Sequence, residues 1–204
     1  MTLDPDISRG LIRLHNGDAT IRLDAVVTLR DQMDVAEVMH AMRVLIYDPD
    51  GHVRILAAEA LARQGLYASE ALPVLITTLE VVDKAEVAGV PHAKEWRRVA
   101  AGVIQHYGPE AGPAIPALRN ALLDPDQMVR GYAAISLGKI GPAAIVALQD
   151  LRAARQAEDS EAMREQVYDR AIRQIVGSDH FLVIRRDDDE TPDAGPDRLR
   201  GYSR

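Results

Sequence analysis

The sequence predicts an all-α protein: a right-handed α-solenoid of about four to five antiparallel helix pairs with a short irregular C-terminal tail. A helical pattern recurs along the chain at near-constant spacing. Each copy is followed by a second helical stretch after a short turn, and the composition suits close helix packing. Of the 204 residues, 47% are hydrophobic but only 4% aromatic, with one Phe, one Trp and six Tyr. Such a core is assembled from Ala, Leu, Val and Ile, and long alanine-rich stretches favour helix over sheet.

The clearest copy of the pattern is Val53-Arg54-Ile55-Leu56-Ala57-Ala58-Glu59-Ala60-Leu61, closing at Gly65. It recurs without gaps at Trp96-Arg97-Arg98-Val99-Ala100-Ala101-Gly102-Val103-Ile104, closing at Gly108. A further copy is Val129-Arg130-Gly131-Tyr132-Ala133-Ala134-Ile135-Ser136-Leu137, closing at Gly141, and a weaker one spans Ile21 to Leu29. Aligned, the copies share a large apolar column (Ile21, Val53, Trp96, Val129) and an arginine column (Arg22, Arg54, Arg97, Arg130). They also share an alanine column (Ala25, Ala57, Ala100, Ala133) and a final apolar column (Leu29, Leu61, Ile104, Leu137). Val53, Leu56, Ala57, Ala60 and Leu61 follow the stripe of an amphipathic helix. The alanines let a neighbouring helix approach closely, because side-chain size sets the interaxial distance.

Taken in order, Ile7–His15 reads as a lone helix ahead of the first pair. In the first copy Asp24 replaces Leu56 and Thr28 replaces Ala60, so that face is expected to be less buried, as a terminal repeat requires. Second helices are expected over Asp34–Tyr47, Ser69–Val81, Glu110–Leu123 and Pro142–Arg155. Ser69 is placed as an N-cap, with Pro73 near the first turn. Gly65, Gly108 and Gly141 fall where a left-handed C-cap is wanted. Asp48-Pro49-Asp50 and Asp124-Pro125-Asp126 join one pair to the next, with an aspartate available to cap the following helix. Ile21 to Val53 is 32 residues and Trp96 to Val129 is 33, but Val53 to Trp96 is 43. The extra residues lie in Val82–Glu95 and read as a surface loop, since lengthening one costs little; insertions in solenoids also often lie on the binding face. Glu161–Val176 fits the pattern loosely and is expected to be the C-terminal cap. The solenoid is thus assigned to residues 1–177 and a charged, flexible tail to 178–204.

The run Asp-Pro-Asp-x-x-Val-Arg-x-x-Ala-Ala-x-Ala-Leu is nearly intact at Asp48–Leu61 and recurs with substitutions at Asp124–Leu137. It resembles the HEAT-repeat family, and more closely the short bacterial variant called the phycobilisome-lyase-like HEAT repeat. The resemblance covers about Ile21 to Gly177. It implies a solenoid used for binding, and it also admits a subunit of a bilin lyase-like or other enzyme complex. Deoxyhypusine hydroxylase resembles this chain in its repeats but carries repeated His-Glu iron ligands after the Val-Arg-like pair. Those positions here are Ile55-Leu56, Arg98-Val99 and Gly131-Tyr132, and no His-Glu dipeptide occurs anywhere.

Other function classes are weighed from composition. The net charge of -7 and the shortage of aromatic stacking platforms argue against nucleic-acid binding. The absence of cysteine excludes disulfides, zinc-thiolate sites and cysteine nucleophiles. The N-terminus lacks the basic and apolar regions of a signal peptide, and no apolar run approaches the ~18 residues of a membrane span, so a cytoplasmic protein is expected. Glu37 and His40 form a single Glu-x-x-His pair, best read as a solvated helix face. Neither phosphate-binding glycine loops nor a nucleophile elbow appear. No catalytic residue, metal site or cofactor is therefore expected, and the chain is read as a non-enzyme.

What remains is binding to another protein, as a scaffold, adaptor or assembly factor. The concave surface of a solenoid is made by its second helices. Registering Met42, Leu75, Leu118 and Leu148 places Arg43, Thr77, Arg119, Asn120, Gln149 and Arg152 near it, as a polar, mildly basic surface. The arginine column is read as structural, each guanidinium pairing with a turn aspartate of its own or a neighbouring repeat. In the tail, Phe181-Leu182-Val183-Ile184 is either packed on the last helix pair or a short docking motif for a partner.

Overall fold

Aspartates open four of the helices. Asp4 accepts from the Asp6 N–H at 2.8 Å, and Asp18 from Thr20 at 2.8 Å. Asp50 accepts from His52 and Val53 at 2.9 and 3.1 Å, and Asp126 from Met128 and Val129 at 3.0 and 3.2 Å. Each carboxylate covers N–H groups that the first helical turn leaves unpaired. The structure is a computed structural model that describes residues 3–80 and 93–177.

The lone first helix is α1 (Pro5–Arg13). Four pairs follow: α2 (Ala19–Leu29) with α3 (Ala36–Leu45), α4 (Gly51–Arg63) with α5 (Ala68–Glu80), α6 (Ala93–Ile104) with α7 (Ile115–Ala121), and α8 (Gln127–Ile140) with α9 (Leu148–Ala157). The last layer is α10 (Glu161–Met163), a π-helical turn over Arg164–Tyr168, and α11 (Asp169–Val176). First helices stack on first helices, in the order α2, α4, α6, α8, α11. This is an all-α solenoid, and the alanine column is its seam. Ala25, Ala57, Ala100 and Ala133 are all fully buried, as are Val53, Val129, Leu61, Ile104 and Leu137. Asp24 and Thr28 are exposed, so the first copy does present its polar substitutions to solvent.

Gly65, Gly108 and Gly141 have φ of 66°, 53° and 77°, the left-handed geometry that only glycine adopts without strain. Several boundaries differ from expectation. Ser69 does not cap α5; the helix begins one residue earlier, after Tyr67 turns the chain with φ 55°. Pro73 consequently lies inside the helix rather than in its first turn. The expected helices from Glu110 and Pro142 begin as 3-10 turns over Gln105–Ala114 and Gly141–Ala147, each carrying prolines that cannot donate to an α-helical ladder. Glu161–Val176 is interrupted by its π-turn. Of the insertion, residues 93–95 form the first turn of α6. Its remainder, together with Phe181–Ile184 and the rest of the tail, lies outside the described residues.

One stretch departs from the expectation of no membrane-length apolar run. Gln127–Ala157 reaches a mean hydropathy of 1.4, long and apolar enough to cross a membrane by composition. Gly141 breaks it into α8 and α9, and 56% of its most apolar window is buried inside the protein. Packing between repeats accounts for that hydropathy.

Candidate functional site

The arginine column makes a ladder with one repeated geometry. Arg22 donates from Nε and Nη2 to both oxygens of Asp48, at 2.8 and 2.7 Å. Its Nη1 donates to the carbonyls of Asn16 and Gly17, at 2.9 and 3.1 Å. Arg54 places Nη1 on the carbonyls of Asp48 and Pro49, at 2.7 and 3.0 Å. Arg97 pairs with Asp124 at 2.9 Å, both side chains 1% exposed. Arg130 binds the carbonyls of Asp124 and Pro125, at 2.9 and 3.1 Å, and reaches Glu158 at 3.3 Å. Arg22 and Arg130 each tie the turn before their own helix to the acidic residue one repeat later. Arg97 also takes its carboxylate from the next repeat's turn. For Arg54 that turn lies outside the described residues.

The ladder is longer than the column read from the sequence. Arg164 donates to the Glu158 carbonyl at 2.8 Å, so the π-turn carries a fifth rung. A parallel tier joins Arg98 to Asp126. These rungs had a signal: an acidic residue stands six positions before Arg54, Arg130 and Arg164 alike.

Electrostatics follow from these contacts. Hydrogen bonds from Arg98 pull the Asp126 carboxyl down to about 2, against the opposing effect of burial. Burial pushes Asp48 up, but Arg22 and the Asp50 N–H outweigh it and hold the group below its ordinary value. Glu158 behaves likewise through Ser160, Gln127 and Arg130. A carboxyl whose folded pKa is depressed contributes stability above its unfolded pKa and loses it as pH falls through the folded value. Thermal stability is thus expected to fall steeply between about pH 4 and pH 2, and Asp126→Asn to flatten that dependence. Melting curves across that range check it.

The face expected to bind partners is differently arranged from the sequence reading. Arg43 on α3 pairs with Glu70 on α5 at 2.7 Å, its guanidinium 4.9 Å from the Tyr67 ring centre. Arg119 on α7 pairs with Asp150 on α9 at 2.5 Å. The mildly basic character is therefore offset by carboxylates from the adjacent second helix. Glu70 is held below its usual range, chiefly by Arg43. Thr77 spends its hydroxyl on the Pro73 carbonyl at 2.8 Å. Asn120 and Gln149 are exposed, and Arg152 is half-buried. Sequence reasoning missed the apolar members of this face. Tyr47 and Leu123 are 70% and 81% exposed, and Val44, Ile145 and Val146 are exposed as well. Two second helices present such residues in one stripe with polar ones: His40, Arg43, Val44 and Tyr47 on α3 and its C-terminal turn, and Pro116, Arg119, Asn120 and Leu123 on α7 and its C-terminal turn.

The two sets of arginines should respond oppositely to truncation. Arg54→Ala unpins two turn carbonyls and is expected to lower the unfolding midpoint by several degrees, with Arg54→Lys also harmful because the fork is lost. Arg119→Ala removes an exposed pair of about 0–1 kcal/mol and should leave the midpoint nearly unchanged. Calorimetric scans at equal concentration compare them.

The fold and ladder define a helical-repeat solenoid, and comparison with known proteins agrees. The family model described as HEAT repeats matches residues 92–169. The chain is also similar to the crystal structure of an engineered protein from the Northeast Structural Genomics Consortium, at 18% identity and a TM-score of 0.61, covering 84% of this chain and 80% of that one. That likeness is one of fold. No curated protein matches the sequence.

Proposed function

We propose that the chain is a non-enzymatic interaction module, a scaffold, adaptor or assembly factor, that holds another protein on its row of second helices. HEAT repeats generally serve protein contacts, and the observation that carries the reading here is the stripe on that row. Polar side chains are locked in place between repeats by Arg43–Glu70 and Arg119–Asp150, and exposed Tyr47, Val44 and Leu123 stand beside them. Arginine and tyrosine near apolar neighbours is the composition of interface hot spots, and pre-fixed side chains lose less entropy on binding. The polar positions Thr77, Asn120, Gln149 and Arg152 complete the surface. Neither nucleic acid nor membrane is part of this reading.

The test is capture of partners from native lysate by wild type, by Arg43→Glu/Arg119→Glu/Arg152→Glu, and by Tyr47→Asp/Leu123→Asp. The second variant alters only side chains that are largely in solvent, so its melting point should match wild type while its partner set shrinks. Identical partner sets for all three proteins would remove the second-helix row as the binding face. The motif at Asp48–Leu61 keeps the phycobilisome-lyase-like subtype as a second reading, with the chain a subunit of a bilin lyase-like complex. An absorbance change on mixing with a bilin favours it, and a flat titration to high micromolar concentration removes it.

A further inference from the structure

Past the opening turns of the stacked first helices, Gly102, Gly131 and Gly138 lie in helical conformation; packing requires glycine at Gly138, while Gly131 faces only the movable end of Met163. A Cβ on Gly131 would stand 2.7 Å from Met163 Cε, and one on Gly138 would stand 2.9 Å from the Ala171 backbone. Gly102 on α6 is different. The nearest atoms to a Cβ there belong to the Tyr132 ring, at 3.6 Å, which is ordinary van der Waals contact. Nothing in the packing demands glycine, yet glycine is the weakest helix former after proline. In the other repeats this position holds Val27, Glu59 and Ile135.

A trough of about 450 Å³ lies over Gly102 between α4, α6 and α8. Its floor is Val99, Gly102 and Val103, and Gln105 Nε2 covers the Gly102 carbonyl at 2.7 Å. The walls carry ion pairs that share one orientation. Glu59 is buried at 5% side-chain exposure while its partner Arg63 is 57% exposed. Arg98 likewise faces outward more than Asp126. His106 is exposed on the same rim. The carboxylates lie behind and the guanidiniums in front, so the accessible rim offers the Arg63 and Arg98 guanidiniums and the His106 imidazole around an apolar floor.

We propose that this trough is a second docking site, on the first-helix row, for an acidic peptide segment of a partner protein that inserts one bulky apolar side chain over Gly102. The anchor fills the floor against Tyr132, and flanking carboxylates meet Arg63, Arg98 and His106. Charge complementarity selects the occupant: a basic segment would face the guanidiniums directly and find the carboxylates already covered.

The experiment uses the full chain and four fluorescein-labelled dodecapeptides. Two carry Asp/Glu flanks around a central Phe or Leu, a third has acidic flanks around Ala, and the fourth has Lys/Arg flanks around Phe. The expected result is binding of the first two at least about tenfold tighter than the others, weakened by salt as exposed charge contacts are. Gly102→Leu fills the trough, should melt no lower than wild type, and should lose at least about tenfold in affinity for the acidic Phe peptide. Equal binding of all four peptides, or undiminished binding by Gly102→Leu, overturns the proposal. The chain's own tail is also acidic after an apolar tetrad. If converting Asp187–Glu190 to asparagine and glutamine raises affinity for the acidic Phe peptide about tenfold, the tail is the resident occupant and the assignment to a partner is overturned.

Discussion

Arg97→Ala is expected to be the most damaging single substitution in the ladder. Arg97 and Asp124 are both 1% exposed and hydrogen-bonded at 2.9 Å, so truncation leaves a buried carboxylate without its countercharge. Breaking a buried pair in this way typically costs about 3–5 kcal/mol. For a chain of this size each kcal/mol moves the midpoint by about 2–4 °C, so a fall on the order of 10 °C is expected. Arg97→Lys keeps the charge but loses the fork and should recover only part of the loss. The double variant Arg97→Met/Asp124→Leu removes both charges and should be more stable than Arg97→Ala, because no ion is stranded. Differential scanning calorimetry of the four proteins decides it. A midpoint for Arg97→Ala equal to wild type would show that the rung does not hold the repeats together.

Gly138→Val should unseat the last helix. A Cβ there would approach the Ala171 Cα to 2.9 Å and its Cβ to 3.2 Å. The Gln174 side chain could swing away, but the Ala171 backbone cannot move without shifting α11. Overpacking of this kind costs about 1–3 kcal/mol, and a β-branched residue is at the upper end because its rotamers are restricted. In a solenoid each layer is stabilised mainly by its neighbour, so the loss falls first on α11. Limited proteolysis should cut between Glu158 and Glu161 sooner than in wild type, with the midpoint of urea unfolding lowered. Gly112→Ala is the control, since nothing lies within 4 Å of its added Cβ. Equal protection of both variants would mean that α11 is not held by the contact at Gly138.

The candidate binding face was half legible. Helical spacing from Met42, Leu75, Leu118 and Leu148 put Arg43, Thr77, Arg119 and Asn120 near the concave surface, and all four are exposed on the second helices. It could not show that Arg43 and Arg119 are engaged by Glu70 and Asp150, because those acids lie 27 and 31 residues away and meet them only when repeats stack. For the same reason the ladder's direction was ambiguous in sequence. Asp48 could serve Arg54 in its own repeat or Arg22 in the previous one. The stacking of α2 on α4 assigns the carboxylate to Arg22 and leaves Arg54 the carbonyls. Tyr47 and Leu123 carry no binding signal in sequence, because an apolar residue at the end of an amphipathic helix has the pattern of a core residue.

Local spacing and residue type carry the helix pairs, the aspartate caps, the left-handed glycines after the first helices, the alanine column and the polar face of the first copy. Each is decided within one turn of helix, where backbone sterics and side-chain reach leave few alternatives. Packing settled what depends on neighbours more than twenty residues away: which acid each described arginine takes, that a crossing helix demands glycine at Gly138, and that Gly102 is left open. These outcomes turn on how closely two helices approach, where differences of a few tenths of an ångström decide whether a side chain fits. No periodicity encodes such distances, because they are set jointly by the side chains of two helices at the moment they pack.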